Sequence, residues 1–323
     1  MDALSDVLKA VRLTGALFFD VHASEPWVAE TPAGKAIVEA MFPGSEHLIS
    51  YHIITRGSCW ATLGSEPATR LAAGDIIVLP HGDAHVLSSE PGLRRRPNMA
   101  LYRAPPDGKL PATIFMGSGE SARFVCGFLG CDERPFNPLL TALPRVFQIH
   151  AEPGGALDSY VTFALRESAE RRVGGGSVLS RLSELMFVDV VRHYIETLPP
   201  GRTDWLAGLR EPYVGRALTL LHRSPARDWT LKALARSVGL SRSALAERFT
   251  SYVGQPPMQY LTNWRMQLAT SELRARDESL AQIANRVGYE SEAAFSRAFK
   301  KALGSSPGQW RKQHLARISP GRG

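Results

Sequence analysis

The chain has 323 residues, more than one hydrophobic core usually organises, and at 44% hydrophobic and 21% charged it reads as an ordinary soluble protein of two domains. No apolar run approaches a membrane span, the start "MDALSDVLKAVRLTGALFF" lacks the basic segment of a secretory signal, and three cysteines make no disulfide framework, so a cytoplasmic protein with no membrane partner is expected. The net charge of +7 is unevenly spread: 20 Lys and Arg against 24 Asp and Glu from Met1 to Glu211, but 18 against 7 from Pro212 to Gly323. A basic final third is the electrostatic footprint of a polyanion partner.

In chain order, residues 1–150 carry short β-rich runs punctuated by Gly and Pro, among them "ALFFDVHA", "HLISYHIITRGSCWATL", "GDIIVLP" and "RFVCGFLG". This texture predicts a small antiparallel β-sandwich or barrel, with Trp27, Trp60, Phe18 and Phe19 in its core. Residues 151–198 switch to helical spacing, and Leu179, Leu182, Leu185, Met186 and Val190 fall on one stripe. A stripe wider than docking on a small sandwich needs predicts a helical pair that forms a homodimer. Residues 199–211 lie within "TLPPGRTDWLAGLREP", whose prolines and glycines predict a linker carrying a short helix.

Residues 212–323 say one thing twice. Leu231, Leu234, Ala235, Val238 and Gly239 recur 49 residues later as Leu280, Ile283, Ala284, Val287 and Gly288. Beyond the turn the offset is 50, pairing Phe249 with Phe299, Gly254 with Gly304, Pro257 with Pro307 and Tyr260 with Trp310. Thr230 and Ser279 suit helix N-caps, and a glycine suits the left-handed end of each first helix. Two short helices about such a turn make a helix-turn-helix, whose second helix fits the major groove of double-stranded DNA. Between the copies, residues 257–275 lack an internal Gly or Pro and predict one strut helix of about 17–19 residues.

With Leu245 and Phe249 as the buried edge of the first recognition helix, 100° per residue puts Ser243, Ala246, Glu247 and Thr250 opposite. Phe295 and Phe299 likewise expose Ala293, Ser296, Arg297 and Lys300. Arg297 can grip guanine O6 and N7, Glu247 can accept from cytosine N4, and Ala293 can touch only a thymine methyl. Arg242, Lys301, Arg265 and Arg311 fit phosphate contacts, which position without reading sequence.

From Pro212 to about Gln313, these residues resemble the C-terminal domain of AraC-type bacterial transcription regulators. The resemblance rests on "WTLKALARSVGLSRSALAERFTSYVGQPPMQYLTNWRM" and "SLAQIANRVGYESEAAFSRAFKKALGSSPGQWRK", with Gly-x-x-Pro after each recognition helix. It implies base contacts at Ser243, Ala246 and Glu247, then at Ala293, Ala294 and Arg297; Glu247 departs from the basic residue common at its place.

In the front half, "GDIIVLPHGDAH" spaces Gly74, Pro80, Gly82 and His85 as in the second motif of the cupin family, a strand, a glycine turn and a return strand whose His points inward. The first cupin motif would supply two His and a Glu; only His52, in "SYHIITRGSCW", stands there. From about Ala16 to Asp132 the chain thus resembles the cupin-type sensor in front of some AraC-type regulators. Cys126 and Cys131 bracket "GFLG", and three readings stay open: a zinc site with His52, His81 or His85, a redox pair, or small buried side chains.

The expected whole is an α+β multidomain chain: a cupin-like β-sandwich or barrel with a helical pair, then an all-α domain with two helix-turn-helix motifs. Its expected function is a promoter-binding, non-catalytic regulator that answers a small effector. The competing reading is a cupin metalloenzyme, an oxygenase or isomerase, joined to a DNA-binding module.

Overall fold

A computed structural model describes residues 2–102, 112–117, 121–133, 135–170, 172–275 and 278–318. The chain opens with helix α1 (Ala3–Ala10), strands β1 (Thr14–Ala23) and β2 (Val28–Thr31) and the short α2 (Val38–Met41). Strands β3 (His47–Arg56), β4 (Ser58–Leu63), β5 (Thr69–Ala72), β6 (Asp75–Leu79), β7 (His85–Ser88), β8 (Ala112–Met116) and β9 (Ala122–Cys131) follow. Helix α3 (Pro138–Ala142), strand β10 (Phe147–His150), α4 (Ala156–Glu170) and α5 (Gly175–Thr197) complete the front half. The rest is helical: α6 (Trp205–Arg210), α7 (Pro212–Arg223), α8 (Leu231–Val238), α9 (Arg242–Val253), α10 (Pro257–Ala275), α11 (Leu280–Arg286), α12 (Glu292–Leu303) and α13 (Pro307–Ile318).

Residues 13–131 and 143–197 form one compact unit. Its sheets run β10-β6-β3-β9-β1-β8 and β2-β7-β4-β5. The expected sandwich is there, with one departure: β1 and β8 pair in parallel. Strands β3 and β9 are buried almost throughout, because both their faces are covered. Phe124, Cys126 and Phe128 face the core between the sheets with Phe19 and Trp27, while Trp60 is only half-buried and the side chain of Phe18 lies outside the described residues. The opposite face receives α5, whose Leu179, Leu182, Met186 and Val190 are buried. The apolar stripe of α5 thus docks on the sheet instead of lying open to a second copy, and Leu185, placed on that stripe from the sequence, turns outward at 45% exposure. Tyr51 on β3 lies over Gly127, and its hydroxyl is 2.5 Å from Ser183 Oγ on α5.

The second unit joins residues 1–12 and 132–142 to 198–323. Its make-up differs from a boundary at residue 150, and the stretch 199–211, read as a linker carrying a short helix, belongs to this unit with its helix α6. Helix α6 buries Trp205 and Leu206, and α1 buries Ala3, Val7 and Ala10. Gln267, fully buried on α10, donates from Nε2 to the Ala10 carbonyl at 3.1 Å and accepts at Oε1 from the Phe136 amide at 3.1 Å. Buried Asp132 takes Arg12 at 2.8 Å and also Arg274 of α10. These pairings across 120 residues and more leave no local trace in the sequence.

Candidate DNA-reading surface and sensor cavity

The two helix-turn-helix motifs are built alike. Thr230 and Ser279 cap α8 and α11 by accepting from the amides of Ala233 and Gln282, and Ser279 completes a capping box with Gln282. Gly239 and Gly288 turn the chain at φ +83° and +84°, and a Cβ on Gly288 would stand 2.7 Å from the Ala226 Cα, so that turn tolerates glycine only. Ser241 and Ser291 then cap α9 and α12.

An equivalent aromatic pair seats each recognition helix. Phe249 of α9 and Phe299 of α12 are fully buried and meet Tyr260 and Trp310 edge-on, with ring centroids 5.7 and 6.1 Å apart. Helix α10 spans 19 residues, about 28 Å, over the stretch read as a strut. Its Tyr260 and Trp264 belong to the first motif's core, its Met266, Ala269 and Leu273 to the second's.

With those faces buried, Arg242, Ser243 and Glu247 of α9 are exposed and Ala246 and Thr250 half-buried. On α12, Ala293, Arg297, Lys300 and Lys301 are exposed, and Ala294 and Ser296 half-buried. Arg265, expected to contact phosphate, donates from Nε to the Pro225 carbonyl at 2.8 Å and from Nη2 to the Arg227 carbonyl at 2.9 Å. It stacks on Tyr289, and burial lowers its pKa, so it braces the loop before α8. Arg311 similarly donates to the Glu278 carbonyl at 2.7 Å.

In the sandwich, the motif ending at His85 folds as a strand, a turn and a return strand. Gly82 sits at φ +64° with no room for a Cβ, which would lie 2.7 Å from the Leu48 carbonyl oxygen. His85 and His52 are both buried, 4% and 1% exposed. The Asp83 carbonyl accepts at 2.8 Å from His85 Nδ1, which fixes that ring's tautomer. His85 Nε2 therefore accepts, at 2.6 Å, from His52 Nε2–H, and His52 Nδ1 accepts at 3.0 Å from the Cys126 thiol. Burial drives both rings toward the neutral form, His85 down to about 4 and His52 well below its ordinary value, the latter also because His85 adjoins it. Burial pushes the Cys126 thiol up.

The remaining candidates lie elsewhere. His81 is exposed on the turn and donates to the Leu143 carbonyl at 3.0 Å. Cys131 lies five residues along β9 from Cys126, which at about 3.4 Å per residue is about 17 Å away and on the other face. The strand thus separates the two cysteines too far to share a disulfide or a zinc ion. Nor do His52, His85 and Cys126 converge on a point: the thiol and His85 address opposite nitrogens of one ring. Among the described residues no group of three or more His, Cys, Asp or Glu is placed to hold a metal. The donors do not fit the metal of a cupin enzyme.

Beside this chain lies a cavity of about 260 Å³, walled by Phe19 and Val21 of β1, Ile114 of β8, and Phe124, Cys126 and Phe128 of β9. Phe19, expected in the core, is also cavity wall. The lining runs out to Phe115, 72% exposed, and to Arg95 and Asn98. The cross-strand registers His52 to Cys126 and Phe19 to Cys126 hold the thiol between β3 and β1. Sequence reading singled out His52, His85 and Cys126 separately, but nothing local says that positions 74 residues apart stand side by side.

Comparison with known proteins gives a Cupin family model over residues 2–196, more than half the chain, and a helix-turn-helix domain model over 234–313. An AraC-like transcription regulator of Streptomyces lividans is 33% identical over 97% of this chain and 98% of its own. The HTH-type transcriptional regulator AlkR of Acinetobacter baylyi is 29% identical over 97% of this chain and the whole of its own length. Among solved structures, the C-terminal domain of AraT, a response regulator from Geobacillus stearothermophilus, is 34% identical over 32% of this chain and 86% of that one, with a TM-score of 0.31.

Proposed function

Because the chain belongs to the AraC-like transcription regulators, with a cupin domain in front and a helix-turn-helix domain behind, we propose how it reads DNA and what sets its response. It is a DNA-binding regulator and not an enzyme, as its relatives are named. Helices α9 and α12 enter successive major-groove segments about 34 Å apart, and α10 holds their spacing. Ser243, Ala246, Glu247 and Thr250 face one segment, and Ala293, Ala294, Ser296, Arg297 and Lys300 the next. Arg242 and Lys301 grip phosphates.

One observation carries this reading: the aromatic seat of α9 recurs under α12, so both helices present the face opposite their buried phenylalanines. Footprinting the full-length protein on its own upstream DNA tests it. Two protected segments one helical turn apart are expected; a single protected segment would overturn the two-headed mode.

The sandwich cavity holds the effector, an apolar molecule small enough for about 260 Å³. A homodimer forms through the outward faces of α4 and α5, where Phe163, Val178 and Leu185 are 38–45% exposed, the stripe once expected to do so being spent on the sheet. The protein works in the cytoplasm with its promoter; among the described residues no helix is long and apolar enough to cross a membrane.

A further inference from the structure

We propose that Cys126 captures its ligand covalently, adding its thiol to an apolar α,β-unsaturated carbonyl compound in the sandwich cavity, with His52 as the base. The proposal rests on the reading of this cavity as the effector site, and deepens it by naming the ligand's chemistry.

Three features meet at Cys126. Cys126 lines the cavity, its thiol lies 3.0 Å from His52 Nδ1, and His52 is oriented in turn by His85, itself pinned to the Asp83 carbonyl. Nucleophile, base and orienting group stand in hydrogen-bonded sequence, and since burial disfavours a free thiolate, the proton is handed to His52 as the S–C bond forms. Packing alone does not call for them. Placing two imidazoles and a thiol in an apolar wall costs desolvation that aliphatic side chains of equal volume avoid, so the chain of donors carries a penalty a purely structural core has no need of.

The step balances without a further reactant. The S–H bond breaks and an S–C bond forms at the ligand's β-carbon, while the π electrons move to the carbonyl oxygen as an enolate. The thiol proton passes to His52 Nδ1, whose own Nε2–H leans on His85, and then returns to the α-carbon. Nothing is oxidised, reduced or released. An apolar ligand is favoured because Phe19, Ile114, Phe124 and Phe128 line the cavity with Cys126, and the exposed Phe115 continues that wall to the surface.

Because the base rather than bulk water removes the proton, and His52 stays neutral well below pH 6.5, the rate is set by the pair and not by the thiolate fraction. The test uses the full-length protein with N-phenylmaleimide, an apolar conjugated carbonyl probe, and a sulfonate-bearing maleimide as its charged counterpart, read by intact mass and peptide mapping. Cys126 is expected to react at least tenfold faster than Cys59 or Cys131, and at least tenfold faster with the apolar probe than with the charged one. Its rate should change less than threefold from pH 6 to 8, where an ordinary thiol accelerates about a hundredfold. The His52→Gln variant should slow it at least tenfold and restore the steep pH profile. Should that variant fail to fold, the wild-type profile decides alone. Labelling of Cys126 no faster than of Cys59, or a rate rising tenfold per pH unit, overturns the proposal. The adduct is read by mass, so a regulator whose promoter binding ignores the adduct would sink the effector reading while leaving this chemistry standing.

Discussion

Phe249 meets Tyr260 edge to face, at an interplanar angle of 78°, and this contact ties the first recognition helix to the strut that also carries the second. Replacing Phe249 with Ala should lower stability by about 3–5 kcal/mol through the cavity it leaves. A double-mutant cycle with Phe249→Leu and Tyr260→Leu should return a coupling of about 0.5–1.5 kcal/mol, and Phe299 with Trp310 a similar value. Denaturant unfolding of the wild type and the six variants of the two cycles measures both; additive losses would mean the rings merely fill space.

Arg297→Ala should cost about 1–3 kcal/mol on the protected promoter site and little on random DNA, the pattern of a lost base contact. Lys301→Ala should weaken both alike and reduce the salt slope by about one, the pattern of a lost phosphate contact. Arg265→Ala should do neither. The Pro225 carbonyl would lose its donor while that of Arg227 keeps the Trp229 amide, so stability should fall by about 1–3 kcal/mol with the salt slope unchanged. Titrations at several salt concentrations separate the three.

Gln267→Leu should destabilise the helical unit by about 1–3 kcal/mol, since it strands the buried Ala10 carbonyl and Phe136 amide together. Hydrogen exchange at the Phe136 amide is the direct readout. Protection there should drop in the variant and stay unchanged in α12.

Acid should destabilise both units through buried neutral histidines. His222 accepts from the Tyr260 hydroxyl at 2.7 Å, and burial pushes it down to about 3, as it pushes His85 down to about 4. Their ordinary value is 6.5, so the unfolded chain takes up protons first as pH falls below that value. Stability is whole above pH 6.5 and is lost at about 1.4 kcal/mol per unit for each histidine until the folded value is reached. Melting the wild type and His222→Phe from pH 7 to 5 checks this. The variant starts lower, because Tyr260 loses its acceptor, and declines less steeply.

What could be read from the chain alone follows the range of the interactions. Helix α10, the caps at Thr230 and Ser279 and the buried edges at Phe249 and Phe299 are set by neighbours within a turn or two, and periodicity reports them. The cupin-like turn at Gly82 is similarly local. Placements that depend on register across strands, such as Cys126 beside His52 and far from Cys131, have no local signature, since one residue of slip would turn the thiol to the other face. The apolar stripe of α5 was visible, but whether it meets a sheet or a second copy depends on the sheet being there.

Helix α1 is translated some two hundred residues before the surfaces it packs against, on α7 and α10. Synthesis therefore delivers the whole sandwich before the helical unit can close, and Val7 and Ala10 wait in water while it does. The same interleaving bears on how such a protein is inherited. The stretch from Pro212 onward cannot be moved to another sensor as a cassette without orphaning Gln267 and Arg274, whose partners lie before the sandwich's sequence and within an interruption of it. Exchange of sensors between relatives would have to carry residues 1–12 and 132–142 along, or recreate them.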